Sequence, residues 1–126
     1  MRYSKEKTMG YWMNPYRINS NKYHAKKTEV DGIRFDSQRE ARRYKQLKLL
    51  ERAGEISFLE LQKVYELQPS FKHNGKTIRA IKYVADFYYV DKDGKIHIED
   101  AKGMKTPEYN LKKKMMLYQG LEIEEV

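Results

Sequence analysis

The sequence predicts a single domain of the α/β (α+β) class, and three observations carry that prediction. Asp31-Gly32 and Asn74-Gly75 each stand between short apolar segments, and both dipeptides favour two-residue hairpin turns. A pattern with helical spacing follows the first of these hairpins. Residues 95–126 then have the pattern strand, helix, strand, which is typical of a βαβ unit with a right-handed crossover. The length of 126 residues fits one domain.

Residues 1–22 differ from the rest of the chain and are predicted to form a flexible N-terminal arm. They are polar and basic and also contain Tyr11, Trp12 and Tyr16. Basic residues among aromatic ones suit an arm that follows a phosphate backbone and stacks on bases. The alternative is a frayed terminus with one or two aromatic side chains packed on the body. The folded domain is therefore predicted to span residues 23–126.

The first helix is predicted to begin after Ser37, which is a suitable N-cap residue. Glu40, three residues later, would complete a capping box. Gly54 is a natural residue for the helix end. One face of this helix is apolar, with Ala41, Tyr44, Leu47 and Leu50 at helical spacing.

The middle of the chain is predicted to be mostly strand. Residues 56–61 form short apolar pieces, and Val64 to Gln68 alternates as a strand that Pro69 ends. Thr77 to Val90 is one long strand region. Apolar residues occur at both its even-numbered and its odd-numbered positions, so both faces of the strand are apolar. This pattern favours a central strand covered on two sides.

The C-terminal elements have clear boundary residues. Asp91 to Gly94 is a turn, after which Lys95 to Ala101 returns as a strand. Thr106 and Pro107 then fit the N-cap and first positions of a second helix. That helix is predicted to end at Gly120, before a closing strand at residues 121–124.

The net charge of +8 is concentrated in the N-terminal part of the chain. Residues 1–50 contain 13 basic and 5 acidic residues, whereas residues 51–126 contain 13 of each. This asymmetry favours a polyanionic partner, because each phosphate contact releases counterions. Nucleic acid fits better than an anionic membrane, since no strongly amphipathic helix accompanies the charge. The alternative is a basic, solvated segment that aids solubility.

Composition and motifs exclude several other classes. There is no cysteine, so disulfides and thiolate zinc sites are excluded, and the three histidines have no zinc-ligand spacing. The sequence has no apolar signal segment and no run approaching the roughly 18 residues of a membrane span. It has no glycine-rich phosphate loop either. We therefore expect a soluble, cytoplasmic protein without a membrane partner.

Asp86, Asp100 and Lys102 are the candidate catalytic residues. Asp86 lies on the long strand, while Asp100 and Lys102 end the returning strand and point to the same side, two residues apart. Two carboxylates and an ammonium suit a Mg²⁺-dependent phosphodiesterase. Because side chains alternate along a strand, Glu99 points to the opposite face from Asp100 and Lys102, so we expect it to have a structural role. The D-x-K spacing alone is weak, because 35% of the chain is charged and the pattern also fits a strand-end salt bridge.

Three further polar residues have two interpretations each. Glu40 is either a capping-box residue, which local pattern favours, or a third acid facing Asp86 and Asp100. Gln62 and Gln68 either reach the site from the preceding strand or are ordinary polar strand residues.

Taken in order, the segments FDSQREARRY, YVADF and IEDAKG, followed by TP and a lysine-rich helix, resemble the PD-(D/E)XK nuclease superfamily. Within it the chain resembles most closely a small phage and prophage family of poorly characterised proteins. The likeness covers residues 21–126. It implies a restriction-endonuclease-like core, αβββαβ, with a mixed central sheet flanked by helices. Ala85 stands where the family has proline, which lowers the specificity of the motif.

The resemblance implies roles for individual residues. Glu40, Asp86 and Asp100 would hold Mg²⁺, with Mn²⁺ as a substitute, and Lys102 would complete the catalytic set. It implies metal-dependent cleavage of phosphodiester bonds but does not fix the substrate. Our first hypothesis is an endonuclease acting on DNA, which includes branched or otherwise structured DNA in phage recombination or replication. RNA is a weaker alternative, and paired cuts would favour a homodimer. A non-catalytic nucleic-acid-binding or host-interaction protein that keeps the fold is the alternative. The residues expected to contact nucleic acid are Lys22, Lys26, Lys27, Arg39, Arg43, Lys105, Lys112 and Lys113. For Lys112 and Lys113 a solvated helix face is an equal alternative.

Overall fold

The computed structural model describes residues 27–101 and 105–126. The predicted arm at residues 1–22 lies outside these residues, as do Lys22, Lys26 and Lys102. The chain divides into two compact units, residues 1–41 and residues 42–126. The boundary falls inside the first helix.

The described residues contain two helices and eight strands. The fold is therefore of the α+β class, as predicted. The strands are β1 (Thr28–Val30), β2 (Ile33–Phe35), β3 (Ile56–Gln68), β4 (Phe71–His73), β5 (Lys76–Ile78), β6 (Ile81–Asp91), β7 (Ile96–Asp100) and β8 (Ile123–Glu125). The helices are α1 (Gln38–Arg52) and α2 (Pro107–Tyr118). Neither helix in this part of the chain has the length and apolar character needed to cross a membrane.

The first unit contains the β1–β2 hairpin and the start of α1. Asp31 and Gly32 both have positive φ, 54° and 77°, which confirms the predicted tight turn. The Ser37 hydroxyl accepts a hydrogen bond from the backbone N–H of Glu40 at 3.1 Å, so the predicted N-cap is confirmed.

The second unit is built on a four-stranded mixed sheet in the order β3-β6-β7-β8. β3 and β7 are antiparallel to β6, and β8 is parallel to β7. The parallel pair is connected through α2, as the predicted βαβ unit requires. Apart from the small β4–β5 hairpin, the order from α1 onward is α-β-β-β-α-β.

α2 packs against the sheet to form the core of this unit. Thr106 caps the helix by accepting from the N–H of Tyr109, Pro107 is its first residue, and Gly120 follows its end at φ 84°. These three boundary predictions are confirmed. The buried cluster beneath the helix consists of Tyr83, Ala85, Ile98, Tyr109, Met116 and Ile123.

Two strand predictions were wrong. Residues 56–68 form one strand with two register shifts, where we expected short pieces followed by a separate strand. Bulges at this strand interrupt the alternation that marks a continuous strand. The region 77–90 is not one strand but two, β5 and β6, separated at Arg79 and Ala80. β6 is central, but its second face is only partly covered, and Val84 is 42% exposed.

Candidate active site

Asp86 is hydrogen-bonded to the backbone of the D-A-K tripeptide. β6 and β7 pair antiparallel across the tight turn that follows Asp91. Asp86 lies on β6, and its Oδ2 accepts from the N–H of Ala101 at 2.8 Å. Ala101 separates Asp100 from Lys102 in the sequence. The fold therefore brings together Asp86 and the Asp100-Ala101 segment, as the sequence predicted.

Asp100 is enclosed at the end of β7. The residue is 1% exposed, and its Oδ2 accepts a hydrogen bond from the Tyr83 hydroxyl at 2.6 Å. Its carbonyl oxygen accepts from the N–H of Val126, which fixes this strand end beside β8. The carbonyl group and the carboxylate of Asp100 are thus both held by hydrogen bonds.

The charges of Asp86 and Asp100 both raise the pKa values of two tyrosine hydroxyls, those of Tyr83 and Tyr109. Burial, then the hydrogen bond to Asp100 and the charges of Asp100 and Asp86, raise the pKa of Tyr83. Burial, then the hydrogen bond to Glu125 and the same two aspartates, raise the pKa of Tyr109. Since these charges reach both phenols, the carboxylates form one local region of negative potential.

Gln62 reaches this region from β3. Its Nε2 donates to Asp86 Oδ1 at 3.3 Å, so the interpretation of Gln62 as a residue near the site is supported by a contact. Its φ of 55° lies in the left-handed region, which non-glycine residues rarely adopt. Strained backbone of this kind is found often at functional sites.

Glu99, the neighbour of Asp100, belongs to a different cluster. It is fully buried and forms a bidentate ion pair with Arg43. The distances are 2.7 Å from Arg43 Nε to Glu99 Oε1 and 2.6 Å from Arg43 Nη2 to Glu99 Oε2. The Tyr89 hydroxyl also donates to Glu99. Asp100 instead contacts Tyr83, beneath α2. The assignment of Asp100 rather than Glu99 to the candidate site agrees with these contacts.

Glu40 lies in the first unit, in the first turn of α1, where it is half-buried. Its backbone serves the helix cap. Its proposed role as a third acid stays a prediction. Lys102 is outside the described residues, so its role also stays a prediction.

Four of the six described basic residues that were expected to contact nucleic acid form ion pairs with acidic residues. Lys105 and Lys113 each contact Glu125, at 2.9 and 2.8 Å, and Lys112 contacts Glu108 at 3.0 Å. Lys113, Lys105 and the Tyr109 hydroxyl lower the pKa of Glu125 to about 2.

Of the other predicted nucleic-acid contacts, Arg43 is bound by Glu99, and the hydrogen bond and charge of Glu99 raise its pKa. Lys27 is half-buried and Arg39 is exposed. A role for any of these residues in binding stays a prediction.

The chemistry of the donors fits Mg²⁺. In the part of the chain that is described, no three His, Cys, Asp or Glu side chains are grouped closely enough to hold a metal ion. Mg²⁺ is commonly held by one or two carboxylates and completes its shell with water and substrate oxygens. Asp86, which accepts a hydrogen bond from the residue after Asp100, and Asp100 itself supply that smaller number of carboxylates.

A cleft of about 380 Å³ lies beside these residues, between β6 and the start of α2. Tyr83 contributes to its wall and also holds Asp100, so the cleft adjoins the candidate site. The lining residues are Lys82, Tyr83, Val84, Thr106, Glu108, Tyr109 and Lys112.

Sequence reasoning missed Tyr83, Tyr109 and Glu125. Tyr83 and Asp86 are three residues apart, so simple alternation along a strand places their side chains on opposite faces and Tyr83 away from the site. Tyr109 fits the apolar pattern of a core residue, and Glu125 is one acid among several near the C-terminus. No local signal distinguishes them; the contacts arise from the packing of α2 on the sheet.

Neither a search of curated proteins nor a search of solved structures finds a match to this chain. A family described as "Protein of unknown function (DUF1064)" matches residues 20–125. That span covers the first hairpin, both helices, the whole sheet, and the residues of the candidate site. The chain belongs to this family.

Proposed function

We propose that the protein is a Mg²⁺-dependent endonuclease that hydrolyses phosphodiester bonds in DNA. The observation that carries the proposal is the hydrogen bond from the Ala101 N–H to Asp86 Oδ2, which joins Asp86 to the Asp100-Ala101-Lys102 tripeptide. The resemblance to PD-(D/E)XK nucleases motivates the same assignment. Branched DNA in phage recombination or replication, in the cytoplasm of a bacterial host, is the proposed setting.

Each residue has a separate role in this proposal. Asp86 and Asp100 would hold the metal ion, which would supply Lewis acidity toward the phosphate and toward a bound water. Tyr83 and Gln62 keep the two carboxylates in place through their hydrogen bonds. Lys102 orients the attacking water or stabilises the charge that develops on the phosphate. The resemblance also suggests Glu40 as a third acid, a role that stays a prediction.

The test is metal-dependent cleavage of linear, supercoiled and four-way-junction DNA. Asp86→Asn keeps the shape and the hydrogen-bond acceptor for Ala101 but removes the charge. We expect it to reduce cleavage by about 100-fold or more, because metal and transition-state charge are no longer stabilised. Asp93→Asn is the matched control, since Asp93 lies in the exposed β6–β7 turn.

The proposal fails if purified wild-type protein with Mg²⁺ or Mn²⁺ cuts none of these substrates better than Asp86→Asn or Lys102→Ala. Both variants must retain the wild-type circular dichroism spectrum and unfolding temperature. Matched RNA substrates in the same panel decide between DNA and RNA. Paired cuts at a junction would support action as a homodimer.

One observation favours the alternative, a non-catalytic nucleic-acid-binding or host-interaction protein with the same fold. Asp100 is 1% exposed and bonded to Tyr83, so metal would have to enter an enclosed position. The alternative predicts DNA binding that depends on salt but not on Mg²⁺ and that is unchanged by Asp86→Asn. Cleavage by the wild-type protein would exclude it.

A further inference from the structure

The β4–β5 hairpin is the most exposed element of the second unit. Phe71, Lys72 and His73 pair with Ile78, Thr77 and Lys76, and Asn74-Gly75 forms the turn. Every residue from 69 to 79 is exposed. The two strands form a sheet of their own, separate from the main sheet. The hairpin is therefore a narrow two-stranded ribbon surrounded by solvent.

The ribbon lies in the longest stretch of the second unit that contains basic residues and no acidic ones. No acidic residue occurs between Glu66 and Asp86, whereas Lys72, Lys76, Arg79 and Lys82 all do. None of these four cations forms an ion pair with another described residue. Even Lys82, which lies opposite Glu66 in the sheet, makes none. Their charge is thus available to a partner, unlike the paired lysines of α2.

The arrangement of side chains suits a groove with two charged walls. Cross-strand partners share a face of a ribbon and successive residues alternate. Lys76 therefore lies on the face of Phe71 and Ile78, and Lys72 lies on the other face. Cations on both faces can contact phosphates on both sides of a groove. The apolar pair, Phe71 at 48% and Ile78 at 39% exposure, gains by being covered.

We propose that the β4–β5 hairpin binds duplex DNA by entering the major groove, an inference that takes its partner from the proposed function. The major groove of B-DNA, about 12 Å wide, admits a two-stranded ribbon whose strands are about 4.8 Å apart. Apolar side chains on such a ribbon can contact thymine methyl groups. The major groove of duplex RNA is deep and narrow and excludes it.

The cationic stretch leads from the ribbon to the candidate site. Arg79 follows β5, and Lys82 on β6 lines the cleft next to Tyr83. Tyr83 in turn holds Asp100. A DNA strand bound at the ribbon can therefore continue along β6 toward Asp86 and Asp100. The hairpin would in this way bring DNA to the two carboxylates.

The test measures binding of a fluorescent DNA duplex in the absence of divalent metal, at several salt concentrations. The full-length variant is Lys72→Gln, Lys76→Gln, Arg79→Gln. We expect the slope of log affinity against log salt to fall by about 2 to 3 and the affinity to drop by about tenfold or more, because three phosphate contacts are lost. A Lys72→Arg, Lys76→Arg variant should retain wild-type binding.

The matched control removes three positive charges elsewhere, with Lys45→Gln, Arg52→Gln and Lys95→Gln, all at exposed positions. It should keep the wild-type slope. The proposal is overturned if the hairpin variant, folded by circular dichroism, binds like this control, or if the wild-type chain does not bind duplex DNA. Equal loss of affinity for duplex RNA of the same sequence also overturns it, since that shows contact without the major groove.

Failure of the hairpin proposal can be told apart from failure of the nuclease proposal. Binding that depends on the hairpin without any metal-dependent cleavage rejects the nuclease alone. Cleavage that depends on Asp86 while the hairpin variant binds and cuts normally rejects the hairpin alone. Repeating the binding measurement in the Asp86→Asn protein prevents cleavage from disturbing it.

Discussion

Arg43 on α1 and the buried Glu99 on β7 form an ion pair. The Glu99 side chain is 1% exposed and that of Arg43 is 25% exposed, and Tyr89 completes the cluster. Removing one partner leaves a buried charge without compensation. We expect Arg43→Ala to lower the free energy of unfolding by about 3 kcal/mol, measured by urea denaturation.

Arg42→Ala is the control for this prediction, because Arg42 is the exposed neighbour on the same helix. It should change stability by less than about 0.5 kcal/mol. Equal stability of the two variants would show that the ion pair contributes nothing. If Arg43→Ala instead weakened DNA binding without a loss of stability, the earlier assignment of Arg43 to the DNA-contacting residues would be supported.

His97 lies between two carboxylates. Its Nδ1 is 2.8 Å from Glu124 Oε2, its Nε2 is 2.8 Å from Asp91 Oδ2, and its ring stacks on Tyr89. Ionised carboxylates only accept hydrogen bonds, so both ring nitrogens can donate to them only when His97 is protonated, and this arrangement favours the imidazolium. Burial lowers the pKa of His97, but the hydrogen bonds to Asp91 and Glu124 outweigh it, and the pKa is raised.

A raised pKa makes the contribution of His97 to stability depend on pH. The contribution is complete below about pH 6.5, the unfolded value, and is lost as pH rises through the higher folded value. At the acid end it also needs ionised Asp91, whose pKa the bond to His97 lowers.

We therefore expect the difference in unfolding temperature between wild type and His97→Asn to be largest at pH 5–6 and to shrink at alkaline pH. His73→Asn, in the exposed β4–β5 turn region, should show no such trend. A difference that grows with pH would mean that His97 is neutral in the fold.

At the scale of elements, local chemistry predicted the boundaries well. The turns at Asp31-Gly32 and Asn74-Gly75 and the caps at Ser37 and Thr106 depend on a few neighbouring backbone groups. Such groups are specified by adjacent residues, so sequence alone locates them.

The long strand β3 illustrates what local patterns miss. Phe58 and Gln62 both have positive φ, 58° and 55°, and a register shift follows Ser57. Each irregularity breaks the period of two by which a strand is recognised. The contact of Gln62 with Asp86 follows from cross-strand register, which β3 acquires only by pairing with β6.

At the scale of the whole molecule, net charge predicted a polyanionic partner without locating the surface. The acidic residues near α2 neutralise Lys105, Lys112 and Lys113, and these pairs depend on how the helix packs. Four cations that lack such partners among the described residues lie on or near the β4–β5 hairpin, in the part of the sequence whose net charge is zero: Lys72, Lys76, Arg79 and Lys82. Charge counted along the chain therefore differs from charge available in the fold.

Metal binding by the folded protein can be tested without any substrate. A ligand that binds only the native state stabilises it by RT ln(1 + [L]/Kd), or about 1.4 kcal/mol at ten times the Kd. We expect 10 mM Mg²⁺ to raise the unfolding temperature of the wild-type protein by a few degrees relative to NaCl of equal ionic strength. Asp86→Asn should lose most of this shift, and Asp93→Asn should keep it. Equal shifts in all three proteins would place the metal away from Asp86, and the carboxylates would then serve the fold alone.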